Sequence, residues 1–284
     1  MLAGEDGNEK NGDPMSRTNF TPLVGLVQHG AVTEIVLDRP EALNAVSSMM
    51  ARQLAAACGD LGGRPTVHAV VVSSSTERAF CVGADLKERA GLSDAELADQ
   101  RPLVRAVFDA MRALDAPSIA AIAGYALGGG LELALSCDLI VADDTAELAL
   151  PEVTVGLVPG GGGTQLLARR AGPGVAADLI FTGRHVFAPE ALRIGLVDRV
   201  VERGAARAAA LELAQLIAAN SPVAVRAAKR AMRLGAGTDL AAGLEIEEAA
   251  WRGAATSPDR VEGVKAFLDK RAPRWPSGAP SSTR

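Results

Sequence analysis

The stretch Gly124-Tyr125-Ala126-Leu127-Gly128-Gly129-Gly130-Leu131-Glu132 decides the fold and the chemistry of this chain. It follows Ser118 to Ala123, an apolar run with the length of a buried strand, and it leads into a short predicted helix, Gly129 to Ser136. Glycines at a strand-to-helix junction leave the first N–H groups of the helix unpaired and uncovered by side chains. The sequence therefore predicts a backbone pocket that can bind an oxyanion.

Two acidic residues accompany this pocket. Glu132 stands among leucines, so burial inside the protein fits it better than a solvated helix surface. Glu152 follows Pro151 twenty residues later, and its local sequence fits a surface loop as well as a site. If the two carboxylates converge, they form an acid/base site next to the anion-stabilising pocket. The loop Cys81-Val82-Gly83-Ala84-Asp85 follows another predicted buried strand and is a candidate for a second N–H donor.

Composition excludes several classes of protein. The chain has 284 residues, is 48% hydrophobic and has a net charge of -5, which allows a large core but provides no basic field for nucleic acid. Three cysteines and three histidines show no close-spaced ligand set, so we expect a reducing, cytoplasmic location without disulfides or a bound metal. The apolar run Ile119 to Leu135 contains glycines and a glutamate, which predicts protein interior and no membrane span.

The pattern along the chain predicts an α/β core followed by helices. Runs at Leu23 to Gln28 and Val32 to Leu37 indicate a hairpin, and Val67 to Ser73 indicates a buried strand. Ser47 is a predicted cap of a helix that ends near Leu61, and Ser93 opens a capping box. Strand–helix alternation gives way to helices in the last third. We predict a disordered leader over 1–19, a spiral α/β core over 20–205, a C-terminal helical region over 206–275 and a flexible tail over 276–284.

Other glycine and nucleophile motifs do not fit. Gly160 to Gly163 lack the lysine of a phosphate-binding P-loop, and the stretch at Gly124 does not give the dinucleotide-binding pattern. A Gly-x-Ser-x-Gly elbow is absent from the sequence, which weakens a serine-hydrolase interpretation. Cys81 and Cys137 are expected to be small packed side chains, and Asp138 is expected to be structural.

Five blocks of sequence, taken together, resemble the crotonase superfamily, the enoyl-CoA hydratase/isomerase family. The likeness covers about Leu23 to Trp275 and is strong because all five occur in order at matching spacings. The blocks are Arg39 to Ala45, Ala79 to Glu88, Gly124 to Asp138, Pro151 to Gln165 and Phe267 to Arg271. The chain departs from the commoner pattern at Val82 and Leu131, which could reshape the acyl pocket.

The resemblance implies a crotonase-like spiral of ββα repeats with a C-terminal α-helical trimerisation region, assembled as a homotrimer or a dimer of trimers. It implies an acyl-CoA thioester as substrate, an oxyanion hole on the N–H groups of Ala84 and Gly129, and catalysis by Glu132 and Glu152. Coenzyme A is then part of the substrate, and no separate cofactor is implied. The residues implied in binding it are Ala42, Leu43, Val82, Ala84, Asp85, Leu86, Lys87 and Lys270, the last from a neighbouring subunit.

The presence of both glutamates implies an enoyl-CoA hydratase, which adds water syn across the C2=C3 bond in fatty-acid or branched-chain acyl degradation. The chain looks closest to the hydratases, including the methylglutaconyl-CoA hydratase branch. A 3,2-enoyl-CoA isomerase of the same fold is the first alternative, because one glutamate is enough to move a proton between C2 and C4. The alternative from another class is a non-catalytic scaffold that binds acyl-CoA.

Overall fold

The computed structural model describes residues 22–278, so the predicted leader over 1–19 and the tail beyond residue 278 lie outside the described residues. Two β-sheets form the frame of the protein, and helices cover them. The strands are β1 (Val24–His29), β2 (Val32–Leu37), β3 (Ala69–Ser74), β4 (Ala79–Cys81), β5 (Ser118–Ile122), β6 (Tyr125–Leu127), β7 (Leu139–Asp143), β8 (Glu147–Ala149), β9 (Val186–Phe187) and β10 (Arg199–Val201).

The helices begin in the first third of the chain and dominate its end. They are α1 (Ser48–Leu61), α2 (Leu86–Arg89), α3 (Asp94–Arg112), α4 (Gly129–Leu135), α5 (Gly163–Ala171), α6 (Pro173–Thr182), α7 (Ala188–Arg193), α8 (Ala206–Ala218), α9 (Pro222–Gly235), α10 (Leu240–Ala255) and α11 (Pro258–Leu268). The predicted caps are confirmed: the Ser47 side chain accepts from the Met50 N–H, and Ser93 forms a capping box with Glu96.

The larger sheet has the strand order β1-β2-β3-β5-β7-β10. The predicted hairpin is confirmed, since β1 and β2 pair antiparallel, while the other pairs of this sheet are parallel. The smaller sheet has the order β4-β6-β8-β9, and its first three strands are parallel. Sequence periodicity did not predict the three-residue strands of this smaller sheet.

Consecutive strands enter the two sheets in turn, which builds the spiral. The chain passes from β3 to β4, from β5 to β6 and α4, and from β7 to β8 and then on to α5. Because β4, β6 and β8 are parallel neighbours, their carboxyl ends meet at one edge of the smaller sheet. The Gly128 N–H donates to the Ala149 carbonyl at 2.9 Å, so the segments that follow β6 and β8 lie side by side.

The core lies on both faces of the larger sheet. Strands β3 and β5 are buried, and α1 packs with α3 on one side of them, as continuous apolar strands require. On the other side α8 contributes Ala210, Leu213 and Ala214 to a cluster with Val71 and Ile119. α8, the first helix of the predicted C-terminal helical region, packs on the core sheet, because its apolar stripe faces β3, β5 and β7.

The last helices form a separate layer in which α9 and α10 pack together. α10 carries an apolar stripe that the other residues of 22–278 do not cover: Leu240 is 79% exposed, Leu244 52% and Trp251 64%. Across residues 22–278 no single helix is long and apolar enough to cross a membrane. One bent helix pair, α8 with α9, is long and apolar enough together, by length and composition only.

Candidate active site

A cavity of about 580 Å³ opens at the edge where β4, β6 and β8 end. Its wall includes the loop after β4, one side of α3, the start of α4, the segment after β8 and the glycines before α5. Apolar side chains such as Val104, Phe108 and Leu133 form much of this wall. Such a mostly apolar cleft with a few convergent polar groups is typical of a small-molecule site.

Glu132 lies in the first turn of α4 and is 3% exposed. Its Oε1 accepts hydrogen bonds from the Gly161 N–H at 2.6 Å and the Gly163 N–H at 2.8 Å. Gly163 is the first residue of α5, so a helix N-terminus points at this carboxylate. A side chain at position 163 would place its Cβ 3.0 Å from Glu132 Oε1 and 2.9 Å from Pro159 Cβ, which explains the glycine there.

Glu152 opens a short 3₁₀ turn, Glu152–Val155, directly behind Pro151. Its Oε2 is buried and has no hydrogen-bond partner among the described residues. Burial, and then the charge of Glu132, raises the pKa of Glu152 to about 7, although a hydrogen bond from its own backbone opposes the change. The local sequence left a surface loop open, but the structure places Glu152 in the cavity wall with Glu132.

The two predicted N–H donors come from loops that nearly touch. Gly83 has a φ of 85°, and a Cβ there would lie 2.9 Å from the Gly129 nitrogen, so only glycine permits this approach. The Val46 N–H donates to the Gly83 carbonyl and the Asp85 N–H donates to the Val46 carbonyl, so the intervening Ala84 N–H points elsewhere. Within residues 22–278, neither the Ala84 nor the Gly129 N–H donates to a protein acceptor.

The remaining predicted binding residues fall into two groups. Val82 and Leu86 line the cavity with Ala84. The Asp85 side chain instead caps α2 by accepting from the Lys87 and Glu88 N–H groups, and it pairs with Arg39 at 2.7 Å. The cavity wall does not include Ala42, Leu43, Asp85, Lys87 or Lys270.

Leu131 does not reshape the cavity, contrary to the expectation from sequence. Its side chain is 1% exposed, packs in the main core and is not part of the cavity wall. Asp138 is structural as expected: it pairs with Lys229 at 2.9 Å and with Arg233 at 2.7 Å. These ion pairs attach α9 to the end of α4.

Sequence reasoning missed the two N–H groups that hold Glu132 and two arginines, Arg89 and Arg101, that line the cavity. The run of glycines at 160–163 directly before a helix was the available signal for the N–H groups. Nothing comparable in the local sequence marks the arginines, because charged residues are ordinary on exposed helix faces.

Cysteine chemistry does not contribute a nucleophile here. The three cysteines, Cys58, Cys81 and Cys137, are free and buried, and burial raises the pKa of each to about 12. Within the described part of the chain, no group of three or more His, Cys, Asp or Glu side chains is placed to hold a metal ion.

The family model for enoyl-CoA hydratase/isomerase matches residues 28–278 of this chain. The chain belongs to the enoyl-CoA hydratase/isomerase family, and its fold is the crotonase fold. The mouse mitochondrial enoyl-CoA hydratase domain-containing protein 2 is 42% identical over 248 residues, which cover 86% of this chain and 84% of that protein. The human mitochondrial methylglutaconyl-CoA hydratase is 40% identical over 252 residues, which cover 87% of this chain and 74% of that protein.

Solved structures give the same result for the fold. The crystal structure of an enoyl-CoA hydratase from Bacillus anthracis superposes with a TM-score of 0.88 at 39% identity, and the match covers 90% of this chain and all of that one. A Mycobacterium tuberculosis enoyl-CoA hydratase superposes with a TM-score of 0.83 at 37% identity and covers 91% of this chain. The predicted α/β fold and family membership are therefore confirmed.

Proposed function

We propose that this enzyme is an enoyl-CoA hydratase that adds water syn across the C2=C3 bond of a 2-enoyl-CoA thioester. The observation that carries the proposal is the unequal pair of carboxyl groups in one cavity. Glu132 is held by two N–H donors, whereas Glu152 has a buried oxygen without a hydrogen-bond partner among residues 22–278 and a pKa raised to about 7. A group with that pKa is available as a proton donor near neutral pH.

In the proposed reaction the N–H groups and the two acids each have a separate role. The N–H groups of Ala84 and Gly129 hold the thioester oxygen and stabilise the enolate that forms there. Glu132 orients the water and takes one of its protons as the oxygen bonds to C3, and Glu152 gives a proton to C2. Transfer of a proton from Glu132 back to Glu152 restores both groups. No cofactor takes part, because coenzyme A is carried by the substrate.

The assay that separates hydration from the isomerase alternative uses crotonyl-CoA and a 3-enoyl-CoA in parallel. Hydration predicts loss of the conjugated-enoyl ultraviolet absorbance of crotonyl-CoA and a product heavier by one water. An isomerase predicts appearance of that absorbance from the 3-enoyl thioester and no change with crotonyl-CoA. The second pattern would refute hydration, and no turnover of either substrate would favour the non-catalytic scaffold.

Glutamine substitutions test the two acids. Glu132→Gln and Glu152→Gln are each expected to lower turnover by about 10²–10⁴-fold, because each removes one proton-transfer group. Binding of butyryl-CoA, a saturated thioester that cannot be hydrated, should change little. Glu202→Gln, on an exposed residue before α8, is the matched control. Unchanged turnover in both cavity variants would contradict the roles proposed for these acids.

A pair of substitutions at one glycine tests the oxyanion donor. Gly129→Pro removes the N–H and is expected to lower turnover by about 10²–10³-fold. Gly129→Ala keeps the N–H, and its Cβ would meet Gly83 Cα at 3.4 Å and Phe108 Cζ at 3.7 Å, which are ordinary contacts. Equal turnover in the two variants would show that this N–H is not part of the mechanism.

The exposed apolar face of the last helices supports the predicted trimer or dimer of trimers. Trp251 on α10 and Phe267 on α11 are 64% and 81% exposed, and burial against neighbouring subunits would remove this apolar surface from water. Light scattering coupled to size-exclusion chromatography should give the mass of three or six protomers. Trp251→Glu is expected to shift the enzyme to smaller species, and a monomeric wild-type protein would refute this assembly.

A further inference from the structure

Two arginines stand side by side on the wall of the active-site cavity. Arg89 is the last residue of α2, and Arg101 lies in the middle of α3. Both line the cavity, where the neighbouring wall is formed by apolar side chains such as Leu97 and Val104. Among residues 22–278, neither guanidinium has a carboxylate within 4.0 Å, whereas Arg105, one turn further along α3, pairs with Asp109.

Most of their hydrogen-bond donors are unused by the protein. The Arg89 Nε donates to Gln100 Oε1 at 3.2 Å, and the Arg101 Nη2 donates to the Gly160 carbonyl. Each arginine carries five N–H donors, so both Nη groups of Arg89 and the Nη1 and Nε of Arg101 have no acceptor within the described residues. These free donors can form a bidentate bond to a planar anion such as a carboxylate.

The two positive charges oppose each other in the absence of an anion. Burial, and then the charge of Arg101, lowers the pKa of Arg89, while Glu88 acts in the opposite direction. The Glu88 carboxylate accepts from the Ser48 N–H at 2.9 Å, so it is engaged at the start of α1. Asp94 also lines the cavity but is not within ion-pair distance of either arginine. An anion bound at the arginines would relieve this repulsion, because arginine does not lose its proton in proteins.

The position of the pair relates it to the acyl end of the substrate. Arg101 donates to the carbonyl of the peptide group between Gly160 and Gly161, and the N–H of that same peptide group holds Glu132 Oε1. Arg101 is therefore separated from Glu132 by a single peptide group. Because Glu132 acts at C3 in the proposed reaction, the carbons beyond C3 are the part of the substrate nearest this arginine. The lysines predicted near the coenzyme A phosphates, Lys87 and Lys270, do not line this wall.

We propose that the preferred substrate is a 2-enoyl-CoA whose acyl chain carries a second, terminal carboxylate, and that Arg89 and Arg101 bind this carboxylate. The identity of the reaction rests on the proposed hydration, but the binding of the terminal carboxylate by the arginines does not. A neutral acyl chain still fits the apolar part of the wall, but it leaves the two guanidinium groups without an anion. The arginines therefore determine specificity and do not take part in proton transfer.

Binding of saturated thioesters tests the proposal without catalysis. Glutaryl-CoA and pentanoyl-CoA have the same chain length and differ in a terminal carboxylate against a methyl group. Calorimetry should give a Kd for glutaryl-CoA lower by about tenfold or more, the usual effect of a charged hydrogen-bonded pair. Arg89→Met should reduce this preference to about onefold while the Kd of pentanoyl-CoA stays the same. Arg89→Lys should retain part of the preference. Arg105→Met, a control on α3 at an arginine that pairs with Asp109, should retain all of it.

Two results would overturn the proposal. One is equal binding of the two thioesters by the wild-type enzyme. The other is an equal loss of affinity for both thioesters in Arg89→Met, which would assign the arginines to the coenzyme A phosphates that both probes share. Turnover of glutaconyl-CoA and 2-pentenoyl-CoA separates this inference from the proposed function. Hydration of both without preference refutes only the specificity, whereas preference for glutaryl-CoA without any hydration supports the specificity and refutes the hydratase.

Discussion

Replacing Glu152 with glutamine tests whether this carboxyl group is buried beside a second acid. Burial, and then the charge of Glu132, raises its pKa from 4.5 to about 7 in the folded protein. The folded state therefore binds this proton more tightly than the unfolded chain does. The stability that results is fully present below the unfolded pKa and is lost as the pH rises through about 7. Glutamine does not ionise, so Glu152→Gln should not lose stability through this ionisation as the pH rises.

The size of the effect follows from the two pKa values. A change from 4.5 to about 7 corresponds to at most about 3.4 kcal/mol, at about 1.36 kcal/mol for each pH unit. Glu152 faces an open cavity, where solvent screens its charge, so we expect about 1–2 kcal/mol. The free energy of unfolding of Glu152→Gln, relative to the wild type, should therefore increase by this amount between about pH 5 and about pH 9.

Urea unfolding at one protein concentration measures this difference at the two pH values. Glu202→Gln, on an exposed residue, controls for the general effect of removing an acid. If the difference between Glu152→Gln and the wild type stays the same within about 0.3 kcal/mol, the description of the cavity is wrong. The same ionisation predicts that wild-type kcat/KM falls above about pH 7, because the proton donor is lost.

Three further substitutions test the packing and the ion pairs that hold the fold. Glu34→Ala should lower the free energy of unfolding by about 1–3 kcal/mol in urea, because it leaves the buried Ser73 hydroxyl without its acceptor, whereas the half-exposed Arg207 can be solvated. Burial alone would raise the pKa of Glu34, but hydrogen bonds, first among them those from Arg207, lower it to about 2. The stability that the wild-type pair contributes is therefore lost as the pH falls from about 4.5 toward 2. Gly130→Ala should cost about 3 kcal/mol or more and lower Tm in calorimetry, since its Cβ would lie 1.9 Å from the Cys81 carbonyl oxygen. Lys229→Met should lower the urea midpoint by the equivalent of about 2–3 kcal/mol, because its buried Nζ donates to a core carbonyl at 2.6 Å; an unchanged midpoint would place this ammonium group in solvent.

Strands β1, β2, β3 and β5 of the larger sheet could be predicted because their signals are local, whereas the three-residue β10 of the same sheet could not. Val67 to Ser73 and Ser118 to Ala123 are continuous apolar runs, and Ser93 with Glu96 is a complete capping box. The strands of the smaller sheet have no such signal. Three residues, as in Tyr125–Leu127, are too few to show a period, and these strands exist because parallel neighbours pair with them.

The site divides in the same way. Glu132 and the glycine run before it stand out because acids and glycines in apolar surroundings are unusual in sequence, whereas the choice of Glu152 and of the Ala84 and Gly129 N–H groups rested on the family resemblance. The donors to Glu132 could not be assigned, since a backbone N–H belongs to every residue and only its direction in the fold makes it useful. The surface that α8 covers could not be predicted, because the sequence of an amphipathic helix does not specify its packing partner.

The difference between the two acids comes from what surrounds them, since the side chains are identical. Both follow strands that end at one edge, but only Glu132 meets the N-terminus of α5, where Gly161 and Gly163 present their N–H groups. Glu152 meets Gly128, where a Cβ would lie 3.0 Å from its Oε1, and its Oε2 has no donor within the described residues. The two acids therefore differ in their surroundings: Glu132 is held by the backbone of Gly161 and Gly163, whereas Glu152 is desolvated by burial. These unequal surroundings favour proton transfer from Glu132 to Glu152, whereas two equally solvated carboxylates would favour neither direction.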